Sequence, residues 1–158
     1  MIRVAQVEDI AVLTDIAFAA KRHWNYPEEY IQKWKNELTI TEIYVTNNIV
    51  RCKEIDNRIV GFYSIFTLKE EIKLPTIYLE AGAWLDHMFI IPEYHNRRIG
   101  TDFFIDINET LLKEKQTKMK IFVDPNATVF YEKMGAKFCR LSASSIPDRQ
   151  IPVYEYCL

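Results

Sequence analysis

The sequence predicts a mixed α/β fold in a single domain spanning residues 1–158. Three features carry that expectation. Apolar residues recur every three or four positions in some segments and alternate or run together in others, the two periods of helix and strand. Turn-forming residues separate the strand-like runs. Helices interrupt only some of the strand-to-strand connections, the pattern of a mixed sheet rather than of a regular doubly wound one.

Taken in order, "IRVAQ" starts the chain as a strand, and "VEDIAVLTDIAFAAKRHW" sets Ile10, Leu13, Ala17 and Ala20 at helical spacing. "YPEEYIQKWKNEL" has Pro27 and two acids at its front and Tyr30, Ile31, Trp34 and Leu38 along one side, as a short amphipathic helix does. "TEIYVT" reads as either a turn or a short strand. "IVRCKEID" and "IVGFYSIFTL" form a hairpin around Asp56 and Asn57. "TIYLEAGAWLDHMFII" is a longer extended run in which Gly82 marks a bend or bulge and Pro92 the end. "IGTDFFIDINETLLKEK" is a helix with Phe103, Phe104, Ile107 and Leu111 in one stripe, and Glu109 can pair with Lys113 one turn later. "KMKIFV" is a strand, "NATVFYEKM" a short helix closed at Gly135, and "KFCRLSA" and "VYEYCL" are final strands.

Hydrophobic residues are 49% of the chain and charged ones 27%, with only 4 Gly and 6 Pro, which excludes a disordered or fibrous protein. A formal charge of −2 argues against a general polyanion binder, so nucleic acid is not an expected partner. The N-terminus lacks the basic-then-apolar pattern of a secretory signal, and no apolar run nears the roughly 20 residues that cross a bilayer. The expected location is cytoplasmic, with no membrane partner. Cys52, Cys139 and Cys157 are odd in number and widely spaced, so they read as reduced thiols. His23, His87 and His95 lack metal-ligand spacing, and no metal is expected.

Chemistry concentrates in three places. "HNRRIG" joins a strand to a helix, where the unpaired amides of the first turn can receive an anion. Gly100 permits close approach, and Arg97 or Arg98 can add charge-assisted bonds to a phosphate, although a solvated basic turn would have the same sequence and Asp102 opposes an anion. In "DPNATVFYEKMGAKF", Ala127, Phe130, Tyr131 and Met134 share a helix face; Tyr131 is either core or a hydroxyl presented to a cleft as a proton donor. In "EAGAWLDHM", strict alternation sets Trp84, Asp86, Met88 and Ile90 on one face and Leu85, His87, Phe89 and Ile91 on the other. Asp86 there is a general base or the partner of an arginine.

Taken together, "MFIIPEYHNRRIGTDFF" and "VDPNATVFYEKMGAKF" resemble the GNAT superfamily of acyl-CoA N-acyltransferases, with element order matching over nearly the whole chain. The resemblance implies a central, mostly antiparallel mixed sheet flanked by about four helices. In that family a strand, an apolar residue and a Pro lead to a Q/R-x-x-G-x-G/A loop and a helix. Here Ile90 and Pro92 precede His95, Arg98 and Gly100; His95 replaces Gln or Arg, and Arg98 replaces the first Gly. By resemblance, His95, Asn96, Arg97, Arg98, Ile99, Gly100 and Thr101 hold the CoA pyrophosphate, and the backbone of Met88 and Ile90 pairs with the pantetheine arm. An Arg98 at the glycine position suits a backbone that needs no positive φ. Tyr131 would protonate the departing CoA thiolate, Asn126 would contact the cofactor, and Lys133 would reach a phosphate.

The implied reaction is direct transfer of an acetyl group from acetyl-CoA to a primary amine, small molecule or peptide. Asp86 is the candidate base, with Glu80, His87 and a water as alternatives. A CoA-binding or interaction domain that has lost catalysis is the alternative reading. Trp24, Tyr26, Tyr30 and Trp34 are expected to wall the acceptor site or fill the core, and "VYEYCL" leaves open a homodimer.

Overall fold

A computed structural model describes residues 1–158. Along the chain run β1 (Ile2–Val4), α1 (Ile10–His23), α2 (Glu28–Lys33), α3 (Lys35–Leu38), α4 (Glu42–Asn47), β2 (Ile49–Ile55) and β3 (Arg58–Leu68). They are followed by β4 (Ile72–Lys73), β5 (Tyr78–Leu79), β6 (Gly82–Ile90), α5 (Ile99–Lys113), β7 (Lys118–Phe122), α6 (Thr128–Lys133), β8 (Lys137–Ala143) and β9 (Gln150–Cys157). Seven strands make one mixed sheet, and β4 and β5 form a separate hairpin. The chain divides into two compact units, Met1–Ile65 with His87–Phe103 and Phe66–Asp86 with Phe104–Leu158.

In the first unit β1, β2 and β3 pair antiparallel. α1 buries Leu13, Ile16, Ala17 and Ala20, and its last turn carries Lys21, Arg22 and His23, cations at the end that favours them. Arg3 anchors the start of this region by bonding both Asp9, at 2.7 and 3.1 Å, and Glu54, at 2.9 Å. The predicted second helix is broken into α2 and α3 at Trp34, which is only 4% exposed. Its ring sits edge-on to Tyr26 and Tyr30, with the Lys21 ammonium 4.7 Å from the ring centroid, and burying that ring sets the chain direction. "TEIYVT" is α4, started by Thr41, whose hydroxyl accepts the Tyr44 amide at 3.2 Å.

The hairpin turn is confirmed: Asp56 and Asn57 have φ of 49° and 60°, the left-handed pair of a type I′ turn. Further along β3, Gly61 lies so close to the end of β6 that a Cβ there would stand 2.8 Å from the Phe89 carbonyl oxygen. Only glycine admits that approach.

In the second unit β6 and β7 run parallel, with Ala83, Trp84 and Leu85 opposite Met119, Lys120 and Ile121. The remaining pairs, β7 with β9 and β8 with β9, are antiparallel. The long extended run predicted from Thr76 is interrupted: β5 ends at Leu79 and β6 begins at Gly82, whose φ of 110° requires glycine. α5 buries Phe104, Ile107 and Leu111, and Tyr156 of β9 reaches it through a ring contact to Phe104 and a 2.8 Å hydrogen bond to Asn108.

Trp84 stacks on Phe66, and His87 bonds Ser64 and lies against Phe62.

Candidate active site

The strand, turn and helix around residues 88–102 lie in the first unit. The Ile91 amide donates to the Val60 carbonyl at 2.9 Å. Since successive peptide groups point to opposite edges of a strand, the N–H and C=O of Met88 and Ile90 face away from β3, toward the edge an added strand would use. After Pro92 a single tight turn is closed by Tyr94 N to Ile91 O at 2.9 Å and His95 N to Pro92 O at 3.1 Å. The His95 amide is thus spent on the turn and is not a donor for an anion, a correction to the loop set; its ring instead bonds the Ile90 carbonyl at 3.0 Å.

Asn96 and Arg98 have φ of 61° and 63°. Arg98 therefore stands in the left-handed backbone that its glycine-like position demands, so the proviso of a backbone without positive φ is not met. α5 begins at once: the Asp102 amide donates to the Arg98 carbonyl at 3.0 Å, so the N–H groups of Ile99, Gly100 and Thr101 precede the helical ladder. Asp102, which sequence alone sets against an anion, is paired with Lys53 at 3.0 Å. The guanidinium of Arg97 stacks over Tyr94, 4.6 Å from the ring centroid.

Tyr131, Asn126, Lys133 and Asp86 belong to the second unit. The Tyr131 ring packs edge-on to Phe104 and Phe130 and is 7% exposed. Burial, and secondarily the negative charge of Asp124, raises its pKa well above the ordinary phenol value, so the hydroxyl keeps its proton. That hydroxyl has no hydrogen-bond partner in the protein, and it is not sealed from solvent, since no buried side-chain polar atom lacks a partner. The Asn126 amide donates back to Asp124 at 3.1 Å, and Lys133 is exposed at the end of α6.

The alternative bases are differently occupied. Burial alone would raise the Glu80 pKa, but bonds from Arg140 at 2.9 and 3.2 Å and the nearby Lys120 hold it below the usual carboxylate range. His87 is buried with both ring nitrogens engaged. The Glu37 carbonyl can only accept, so Nε2 donates to it at 2.9 Å, and Nδ1 shares a hydrogen bond with the Ser64 hydroxyl at 2.8 Å, with Tyr44 2.8 Å from Ser64. Tyr44, Ser64 and His87 are scattered through the sequence, and no spacing signals their meeting. Asp86 is exposed. Of the aromatic wall, Trp34 is core, Tyr26 and Tyr30 are half-buried, and Trp24 is 41% exposed. Cys52 is buried, which pushes its thiol up to about 11, and all three cysteines are unpaired by disulfide.

No family model matches the chain. A spermidine N(1)-acetyltransferase of Thermoplasma acidophilum is 28% identical over 146 residues, covering 86% of this chain and 87% of that protein. A GCN5-related N-acetyltransferase from Rhodopseudomonas palustris superposes with a TM-score of 0.78 at 19% identity, over 100% of this chain and 95% of that one. The PaiA N-acetyltransferase of Thermoplasma acidophilum, solved in complex with coenzyme A, gives 0.74 at 19% identity, over 100% and 98%. The chain has the fold of these N-acetyltransferases.

The sheet is mixed as expected, and β6 and β7 run parallel in it. The expected complement of about four helices becomes six, because α2, α3 and α4 are separate short pieces of four to six residues. No helix is long and apolar enough to cross a membrane.

Proposed function

We propose that the chain is an acetyl-CoA-dependent N-acetyltransferase acting on primary amines by direct attack. Acetyl-CoA supplies an activated acetyl group as a thioester. The N–H groups of Ile99, Gly100 and Thr101, with those of Asn96, Arg97 and Arg98, hold its diphosphate, and Lys133 and Asn126 make further contacts to it. Met88 and the Ile90 amide pair with the pantetheine arm along the β6 edge. Asp86, directly or through a water, takes the proton from the acceptor ammonium, so that the neutral nitrogen forms the new bond to the acetyl carbon. A backbone N–H of β6 stabilises the oxyanion, Tyr131 gives its proton to sulfur as the carbon–sulfur bond breaks, and the second proton, lost by the acylated nitrogen, restores the phenol. The products are the acetamide and CoA thiol, with orientation contributing more than either proton transfer.

The observation that carries this reading is Tyr131: a ring fixed by Phe104 and Phe130, a hydroxyl held protonated, and no partner for it in the protein. The acceptor we favour first is a polyamine, because the Thermoplasma acidophilum relative at 28% identity is a spermidine N(1)-acetyltransferase. The test measures thiol release from acetyl-CoA with spermidine, amino acids, aminoglycosides and peptides as acceptors. Release that needs an amine and is lost in Tyr131→Phe supports the proposal. Tight CoA binding without turnover on any acceptor supports a binding module instead, and no CoA affinity removes both readings.

A further inference from the structure

We propose that His95 is a positioning residue for the CoA cosubstrate, its imidazole clamping the Ile90 carbonyl and so fixing the edge of β6 together with the loop that leads into α5. This rests on the reading of that edge and loop as the CoA site. A carbonyl only accepts, so Nε2 carries the hydrogen and donates across 3.0 Å. The bond spans the turn already closed by the His95 amide on Pro92, so one residue ties the turn through both backbone and side chain. A second wall comes from His23 at the end of α1, whose ring meets that of His95 edge-on at 4.9 Å.

The residues immediately after His95 make such a clamp necessary. Asn96 and Arg98 both hold left-handed backbone, which side-chain-bearing residues leave readily when nothing restrains them. Their conformation aims the amides that precede the α5 ladder. The clamped carbonyl also lies on the edge of β6 that faces away from β3, so the imidazole takes one of its two acceptor positions and directs an incoming amide-bearing arm to Met88 and to the Ile90 N–H. Where the family pattern has Gln or Arg, histidine here supplies a rigid donor of the same reach as glutamine.

The test compares wild type with His95→Ala, His95→Phe, His95→Asn and His95→Gln, reading CoA Kd by calorimetry, KM for acetyl-CoA, kcat at saturation and Tm. His95→Ala is expected to weaken CoA and raise KM about tenfold while kcat stays within about twofold, the scale of a lost positioning contact. His95→Phe, which keeps the ring against His23 without a donor, and His95→Asn, whose amide falls short of Ile90, are expected to match it. His95→Gln, whose amide nitrogen reaches the position of Nε2, is expected to recover affinity to within about threefold. Wild type that binds CoA while both His95→Ala and His95→Phe bind it equally well overturns the inference alone. So does a His95→Gln variant no better than His95→Phe. Wild type without CoA affinity overturns the parent reading, a result visible before any variant is made.

Discussion

Replacing Tyr131 with Phe separates chemistry from folding more cleanly than any other single change in this protein. The ring stays, packed edge-on to Phe104 and Phe130, and the deleted hydroxyl makes no hydrogen bond within the protein. No partner is orphaned by its removal, so stability should stay within about 0.5 kcal/mol of wild type, a Tm change of about 2 °C or less. A positioned general acid contributes about 10²–10⁴ in rate, and kcat should fall by that factor, about 2.7–5.5 kcal/mol in the barrier. KM for acetyl-CoA should hardly move, because the hydroxyl acts when sulfur gains charge and not in the ground state. The assay is thiol release at saturating acetyl-CoA and spermidine, with a thermal melt of the same sample. A Tyr131→Phe enzyme retaining kcat within about threefold would refute the acid role, and a Tm drop of several degrees would show that the hydroxyl had a structural partner after all.

Three other outcomes are expected from the geometry. Gly61→Ala brings a methyl 2.8 Å from the Phe89 carbonyl oxygen and 3.2 Å from the Ile90 side chain. Overpacking of about 1–3 kcal/mol, offset by about 0.5–1 from lost glycine flexibility, should lower Tm by up to about 10 °C, and a raised Tm refutes the close approach. Arg98→Gly relieves about 1–2 kcal/mol of left-handed backbone at φ 63° and gives back about 0.5–1 in unfolded-chain entropy, so denaturant titration should show a gain of up to about 1 kcal/mol; a loss would mean that the Arg98 side chain holds the loop. On acidification, Asp9, kept low by its bond to Arg3, and Glu80, kept low by Arg140 against its own burial, each stabilise the fold fully above the ordinary carboxylate values of about 3.9 and 4.3. That contribution is lost as pH falls through their depressed native values, and Asp9→Asn and Glu80→Gln should each flatten the acid limb of a stability–pH curve.

The same ionisation states bear on catalysis as well as stability. Glu80 is ionised at neutral pH but committed to Arg140 and Lys120, and the imidazole of His87 is committed at both nitrogens. In the proposed mechanism Asp86 is the base we favour, and Asp86→Asn should lower kcat/KM by about 10²–10⁴. A kcat/KM unaltered by Asp86→Asn would move the role to a water.

Periodicity alone settled most elements, because the pattern of apolar residues is a local property. The stripe of Phe103, Phe104, Ile107 and Leu111, the Asp56–Asn57 turn and the glycine after α6 could each be read without knowing a neighbour. The candidate loop and Tyr131 were legible for the same reason, as runs of adjacent residues. What tertiary structure alone decided was everything that depends on two distant segments meeting. The break at Trp34 answers to Tyr26, Tyr30 and Lys21, and the His87, Ser64 and Tyr44 cluster draws on three elements with no common spacing. The clamp of His95 on Ile90 spans only five residues, yet it too escaped the sequence, because a side chain's choice between solvent and a backbone carbonyl depends on how the turn between them folds.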